Sequence, residues 1–246
     1  MERDAALAAV FMPVQPASTF EETVERLGSA IRAGLLVPGA KLPPERELAK
    51  QLRISRSTLR QALTALVQSG HLVSQRGRTG GTFVAERPPL TEPDEEPLDQ
   101  SAWAALDYRL AIEAGAVLLA AERGGAEQFD RLDELVAKMD DELEAFEEFR
   151  RTDIRFHIGI AEAARSPRLL SAMTDAQSQM SALIALIAHP PEILNRSNEQ
   201  HARLVKALRK GDGPRAVREM REHTEGTEHI LAGLLPVPLA LERPAA

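Results

Sequence analysis

The sequence predicts a mainly α chain of two domains, a small basic one of short helices closed by a single β-hairpin and a larger acidic one made of helices alone. Three observations carry this. Residues 1 to 85 hold 11 Lys and Arg against 7 Asp and Glu, and the rest of the chain holds 19 against 30, so the net charge of −7 conceals two regions with opposite electrostatic tasks. Between them ERPPLTEPDEEPLDQ, residues 86 to 100, carries four prolines and six acids; proline fixes φ and removes a donor, so the stretch reads as an extended linker. Apolar residues recur at helical spacing on both sides of it, and strand-like patterning occurs in one place only.

The basic part begins with an arm, residues 1 to 17, and the domain proper spans 18 to 85. Its first helix starts at Ser18 or Thr19, with Glu21 and Glu22 in the first turn, and carries Val24, Leu27, Ala30 and Ile31 on one face as far as Gly34. After the turn-forming LLVPGAKL, Pro43 or Pro44 starts a short second helix with Leu48, Ala49 and Leu52 facing inward. Arg53 and Ile54 make a tight corner, Ser55 or Ser57 caps a third helix, and Leu59, Ala62, Leu63, Leu66 and Val67 form its apolar stripe up to Gly70. HLVSQRGRTGGTFVAE then gives strand, basic glycine-rich turn and strand, with Leu72 and Val73 before the turn and Phe83 and Val84 after it. That order is a winged helix-turn-helix.

With the apolar stripe turned inward, Arg56, Ser57, Arg60 and Gln61 project from the leading half of the third helix, the part that enters a major groove in such domains. Arginine pairs bidentately with guanine, and hydroxyls hold phosphate. Arg46 in the second helix, and Arg76 and Arg78 in the wing turn, add positive charge. One such arginine would be an ordinary solvated side chain; five spread over the two-helix unit and the wing of an acidic chain read as a nucleic-acid face.

From residue 101 to 235 the chain reads as helix after helix, with candidates at 100–123, 126–149, 150–164, 167–188, 191–210 and 213–234 and a frayed tail at 236–246. Asp153 and His157 are i, i+4 neighbours; His201 and His223 lie on the next-to-last and last helices. One carboxylate and three imidazoles facing a common core would suit a first-row transition metal with positions left for a ligand. On spacing alone a surface Asp–His contact stays open. His189 and His229 read as helix-end or surface residues, His71 as a packed or backbone-bonded one, and DELEAFEEFR, 141 to 150, as a solvated acidic face carrying no site. The absence of cysteine excludes disulfides and thiolate chemistry. No apolar run approaches a membrane span, and the eight-residue run Ala5 to Met12 follows mixed charges, so a cytoplasmic protein with no membrane partner is expected.

The run IRAGLLVPGAKLPPERELAKQLRISRSTLRQALTALVQSGHLVSQRGRTGGTFV, residues 31 to 84, resembles the DNA-binding domain of GntR-type transcriptional regulators. The resemblance implies that Arg46, Arg56, Arg60 and Gly77 meet DNA, with Ser55, Ser57 and Thr58 on phosphates or base edges and Arg76 at the wing tip. Residues 107 to 226 resemble the FCD ligand-binding domain of the FadR subfamily through DYRLAIEAGAVLLAAER, DIRFHIGIAEAARSPRLL and HARLVKALRKGDGPRAVREMREH. In metal-binding members the ligands fall at Asp153, His157, His201 and His223, and all four types are present.

What these resemblances imply is a metabolite-responsive repressor that binds a short palindromic operator in double-stranded DNA as a homodimer. A divalent transition metal, zinc, nickel or manganese, would sit in the bundle and take a small organic acid. Arg109, at the arginine of the opening FCD motif, either binds the effector or forms an ion pair with Glu113. Pro167 stands in a turn where the family often has Asn, so a contact from that Asn is missing. The rival expectation is a metal-dependent enzyme fused to a DNA-binding module; against it, the matched motifs supply no further base or nucleophile.

Overall fold

The structure, a computed structural model, describes residues 10–11, 19–77, 80–89 and 100–236. Nearly all of the arm, Arg78, most of the linker and the tail beyond residue 236 lie outside the described residues. By its contacts the chain divides into two compact units. The first takes residues 1–99, 186–192 and 226–246, and the second takes 100–185 and 193–225.

In the first unit α1 (Thr19–Arg32) buries Phe20, Val24, Leu27, Ala30 and Ile31. Helix α2 (Glu45–Leu52) has Pro44 as its N-cap, one position outside the helix, and buries Leu48, Ala49 and Leu52. It ends on Arg53, whose φ of 56 is left-handed; this sharp reversal lets α3 (Arg56–Gln68) begin three residues later. Ser55 is the cap of α3, accepting from the Thr58 backbone N–H at 3.0 Å. Leu59, Ala62, Leu63, Ala65 and Leu66 are buried, and Val67 is half-buried.

The hairpin pairs β1 (Leu72–Gln75) with β2 (Gly81–Val84) antiparallel, Leu72 opposite Val84 and Gln75 opposite Gly81. The sequence hid a third contributor. The Pro-Gly segment before α2 lies along the free edge of β2: Leu42 N donates to Thr82 O at 2.9 Å and Val84 N to Ala40 O at 2.9 Å. That segment therefore closes the sheet edge against the body of the unit.

The same unit includes the end of the last helix. Arg32 donates to the carbonyl of Leu235 at 2.6 Å and to that of Ala232, and Ser29 donates to Ala232 O at 3.2 Å. One guanidinium thus satisfies carbonyls that a helix C-terminus leaves orphaned. Two glycines make the crossing possible, because a Cβ on Gly28 would lie 2.1 Å from Gly233 O.

The second unit is built from α4 (Gln100–Arg123), α5 (Ala126–Asp141), α6 (Phe146–Ala163) and α7 (Pro167–Ile184), with most of α8 (Pro191–Arg209) and the first part of α9 (Gly213–Leu234). Its core includes Val117, Ala120, Phe129, Leu132, Met139, Phe156, Ile160, Met173, Leu204 and Met220. The expected boundary between the second and third bundle helices is corrected. The 126–149 candidate ends at Asp141, and residues 142–145 form the turn. Nothing in ELEA breaks a helix by propensity; Leu143, in the turn, and Phe146, the first residue of α6, pack against the core.

Candidate functional site

Along α6, Asp153, Phe156, His157 and Ile160 fall on one stripe at i, i+3, i+4 and i+7, and all four are buried. The bundle core thus takes in a carboxylate and an imidazole together with two large apolar side chains. His201 on α8 and His223 on α9 point to the same place and are buried as well. Nε2 of His157 lies 3.7 Å from Asp153 Oδ1, Nε2 of His201 lies 3.5 Å from that oxygen, and the Nε2 atoms of His201 and His223 are 3.4 Å apart. The three histidines offer ligand atoms within 4.8 Å of one another. The sequence-predicted quartet is therefore brought together.

Ligand atoms held about 2.1 Å from an ion sit roughly 3.0 to 3.4 Å apart in octahedral or tetrahedral arrangements; the pairs at 3.4, 3.5 and 3.7 Å lie close to that spacing, and the widest histidine spacing, within 4.8 Å, has to close further. A second observation tests the fit. Both ring nitrogens of His157 and Nδ1 of His201 are buried with no hydrogen-bond partner. Stranded polar atoms in a dry core cost roughly 1–3 kcal/mol each. Coordination through Nε2 would satisfy that atom of His157, and the donor set fits a borderline first-row ion.

Around the quartet stands a ring of groups that fixes it. Nδ1 of His157 meets Glu113 Oε2 at 3.2 Å, out of hydrogen-bond alignment, and Nδ1 of His223 meets Gln200 Oε1 at 3.0 Å. Arg109 pairs through Nε with Glu113 Oε1 at 2.9 Å and through Nη2 with His223 Nε2 at 2.9 Å, leaving Nη1 buried without a partner. Of the two roles expected for Arg109, the ion pair with Glu113 is present, and Nη1 alone is left without a partner. Glu113 also accepts from Gln177 at 2.7 Å.

Sequence reading missed Arg150. It lies in the stretch read as a solvated acidic face, but it is buried, donates to Asp153 Oδ2, and reaches Gln177 Oε1 at 3.1 Å and Ser181 Oγ at 3.0 Å. Its i, i+3 relation to Asp153 was the available signal; the acidic neighbours masked it.

The electrostatics suit coordination. Burial lowers His201 to about 3, with Asp153 partly opposing, and burial, then His201 and Arg109, hold His223 well below its ordinary value. Both rings are neutral near pH 7, the form that binds metal. Burial alone would raise Asp153, but His157, Arg150 and His201 outweigh it and hold the carboxyl at about 2. Glu113 is likewise held far below the carboxylate range: burial opposes this, and Arg109 and His157 prevail.

In the first unit Arg46, Ser55, Arg56, Ser57, Arg60, Arg76 and Gly77 are exposed and Thr58 is half-buried. Arg60 reaches back to Glu45 at 3.0 Å, joining the starts of α3 and α2. The hydroxyl of Ser55 is engaged in capping and lies 2.7 Å from Ser57 Oγ and 2.8 Å from Thr58 Oγ1. Gly77, with φ of 113, permits the wing turn. One histidine reading changes: His229 is no free surface residue, being half-buried against Glu25; His71 is packed as expected, fully buried with Nδ1 2.9 Å from Ser69 Oγ.

Residues 19–84 match the model of bacterial regulatory proteins of the gntR family, and residues 104–226 match the FCD domain. The putative HTH-type transcriptional regulator RmpR of Mycobacterium gastri is 35% identical over 235 residues, covering 91% of this chain and 84% of that one. The chain belongs to the gntR family. A putative L-lactate dehydrogenase operon regulatory protein of Escherichia coli K12 is 33% identical, over 86% of each chain. The solved structure of E. coli McbR/YncC shares the fold, with a TM-score of 0.50 at 24% identity over 86% of this chain and 96% of that one. This gntR-family protein is accordingly a DNA-binding transcriptional regulator with an FCD domain, not an enzyme. None of its described helices is long and apolar enough to cross a membrane.

Proposed function

We propose that this regulator is a metal-dependent, carboxylate-responsive repressor that binds a palindromic operator as a homodimer. Asp153, His157, His201 and His223 would hold one divalent ion, zinc, nickel or manganese. When bound, that ion supplies open coordination positions that carboxylate oxygens can fill. The observation that carries the reading is the convergence of three buried imidazoles on one carboxylate oxygen, with Nε2 of His157 otherwise without a partner. The lone pair of His223 Nε2 cannot serve both the ion and Arg109, so an ion would free Nη2 to join Nη1 in receiving a carboxylate. That one relative is named for an L-lactate dehydrogenase operon fits a small organic acid as the signal.

Arg46, Arg56, Arg60 and Arg76, with the hydroxyls of Ser55, Ser57 and Thr58 and the Gly77 backbone, would form the DNA face. A dimer places two such faces on the halves of a palindrome, and effector binding shifts the population between arrangements that match and miss its spacing. The test combines metal analysis of the purified chain with operator titrations. The expected result is about one ion per chain, lost in His201→Ala, and operator affinity reduced by small carboxylates only when metal is present. A metal-free native protein whose operator affinity ignores every acid would overturn the reading.

A further inference from the structure

We infer that Arg150 makes this chamber a receptor for dianions, and that the effector is a short dicarboxylate in place of a monocarboxylate. The inference rests on the metal-dependent reading above and deepens it. Four charged side chains are bonded into the cluster: Arg109 and Glu113, with 4% and 0% of their side chains exposed, and Arg150 and Asp153, with 11% and 10%. The two cations and two anions cancel. The three imidazoles are neutral when they coordinate, so a divalent ion leaves a remainder of two positive charges in a nearly dry core. An uncompensated buried charge is costly and draws in a counter-ion.

Arg150 decides the size of that remainder. Were it neutral, one positive charge would be left, which a single carboxylate cancels. With it, a monoanion leaves the chamber positive and a dianion closes the balance. Arg150 is no incidental surface cation: it donates to Asp153, to both the carbonyl and Oε1 of Gln177, and to Ser181 Oγ. It therefore acts on the effector through the field of the chamber and through Asp153, without contacting it. By occupying Asp153 Oδ2 it also leaves Oδ1, the oxygen nearest His157 and His201, as the ligand atom. Asp153 then takes one position on the ion, not two.

The two positive seats are different groups side by side, Arg109 Nη2 lying 2.9 Å from His223 Nε2, and a carboxylate for each is the arrangement inferred. One seat is the ion. The other is Arg109, whose buried Nη1 has no partner. A carboxylate at each end of a short chain answers both; a phosphate concentrates its charge at one.

The experiment uses full-length, metal-loaded protein and calorimetric titration at fixed ionic strength, with succinate against monomethyl succinate, L-malate against L-lactate, and inorganic phosphate as the compact dianion. The expected result is at least tenfold tighter binding of each dicarboxylate than of its singly charged counterpart, with phosphate weaker than succinate. In Arg150→Gln, compared at saturating metal, the preference falls at least tenfold, and Arg150→Lys keeps the preference. Equal or tighter binding of the monoanions by the wild-type protein overturns the inference alone, and does so even if Arg150→Gln fails to fold. Tighter binding of phosphate than of succinate overturns the dicarboxylate assignment, and an unchanged ratio in a folded Arg150→Gln overturns the role of that residue. Absence of binding by every acid, with the ion present, sinks the carboxylate reading itself and this inference with it.

Discussion

Nδ1 of His223 meets Oε1 of Gln200 at 3.0 Å, and this contact sets which ring nitrogen faces the other histidines. An amide oxygen only accepts, so Nδ1 carries the proton and Nε2 keeps the lone pair, turned toward His201 Nε2 at 3.4 Å. Arg109, which can only donate, meets the same Nε2 and requires the same tautomer. Gln200→Ala should therefore weaken metal binding by about 10–100-fold while leaving the helical content unchanged. Competition against a chromogenic chelator reads the affinity. A wild-type value would show that the ring is oriented without Gln200.

The DNA face separates into side chains with different expected signatures. Arg56 is exposed on the first turn of α3, and Arg56→Ala should cost about 1–3 kcal/mol of operator binding and relax sequence preference if it reads a base. Arg46→Ala should weaken all DNA alike and lower the salt slope by about 1, as loss of a phosphate contact does. Arg60 differs because Glu45 holds it; an exposed pair of this kind is worth about 0–1 kcal/mol, so DNA can recruit the arginine at little cost. Glu45→Gln should then tighten binding to nonspecific duplex, measured by fluorescence anisotropy at several salt concentrations.

What the sequence disclosed, and what it withheld, follows from the range of the interactions. Breaks at Gly124–Gly125, Pro167 and Gly211–Gly213 were legible because proline and glycine act locally. The break at 142–145 was not, since ELEA favours helix and only the packing of Leu143 and Phe146 ends it. The candidate quartet was legible as family spacing, but Arg150, Gln177 and Gln200 were not: each acquires its contacts from a partner on another element or from a burial that its neighbours in sequence contradict. Likewise, no local signal in the last helix marks residues 226–234 as belonging with the basic domain, because the determinant is a pair of glycines far apart in sequence.

That pair gives a stability prediction in which two effects oppose. Replacing a helical glycine by alanine gains up to about 1 kcal/mol of propensity. At Gly28 the new methyl would lie 2.1 Å from the backbone oxygen of Gly233, which no rotamer change can relieve, and overpacking of this kind costs about 1–3 kcal/mol. Gly28→Ala should lower Tm. Gly115→Ala, on α4, meets nothing within 4 Å and should raise it. A thermal melt of the two variants beside the wild type decides the matter, and a rise in Tm for Gly28→Ala would mean that α1 and α9 cross less closely.

The buried His71 predicts how the first unit responds to acid. Burial, and secondarily the nearby Arg32, lower it to about 4, against the backbone contact with Ser69, and its Nε2 has no partner. The unfolded chain therefore takes up a proton near pH 6.5, whereas the folded chain resists until about pH 4. Between those values the unfolded state binds more protons, so stability falls as the pH drops through this window and is untouched by His71 above it. In His71→Gln that slope is absent. Urea unfolding of both proteins from about pH 7 down to about pH 5 should show the wild-type advantage shrinking on acidification. His201 and His223 titrate with the same sign but are common to both proteins, so they cancel in the difference. A difference that stays constant over this range would mean that folding leaves the His71 pKa at its unfolded value.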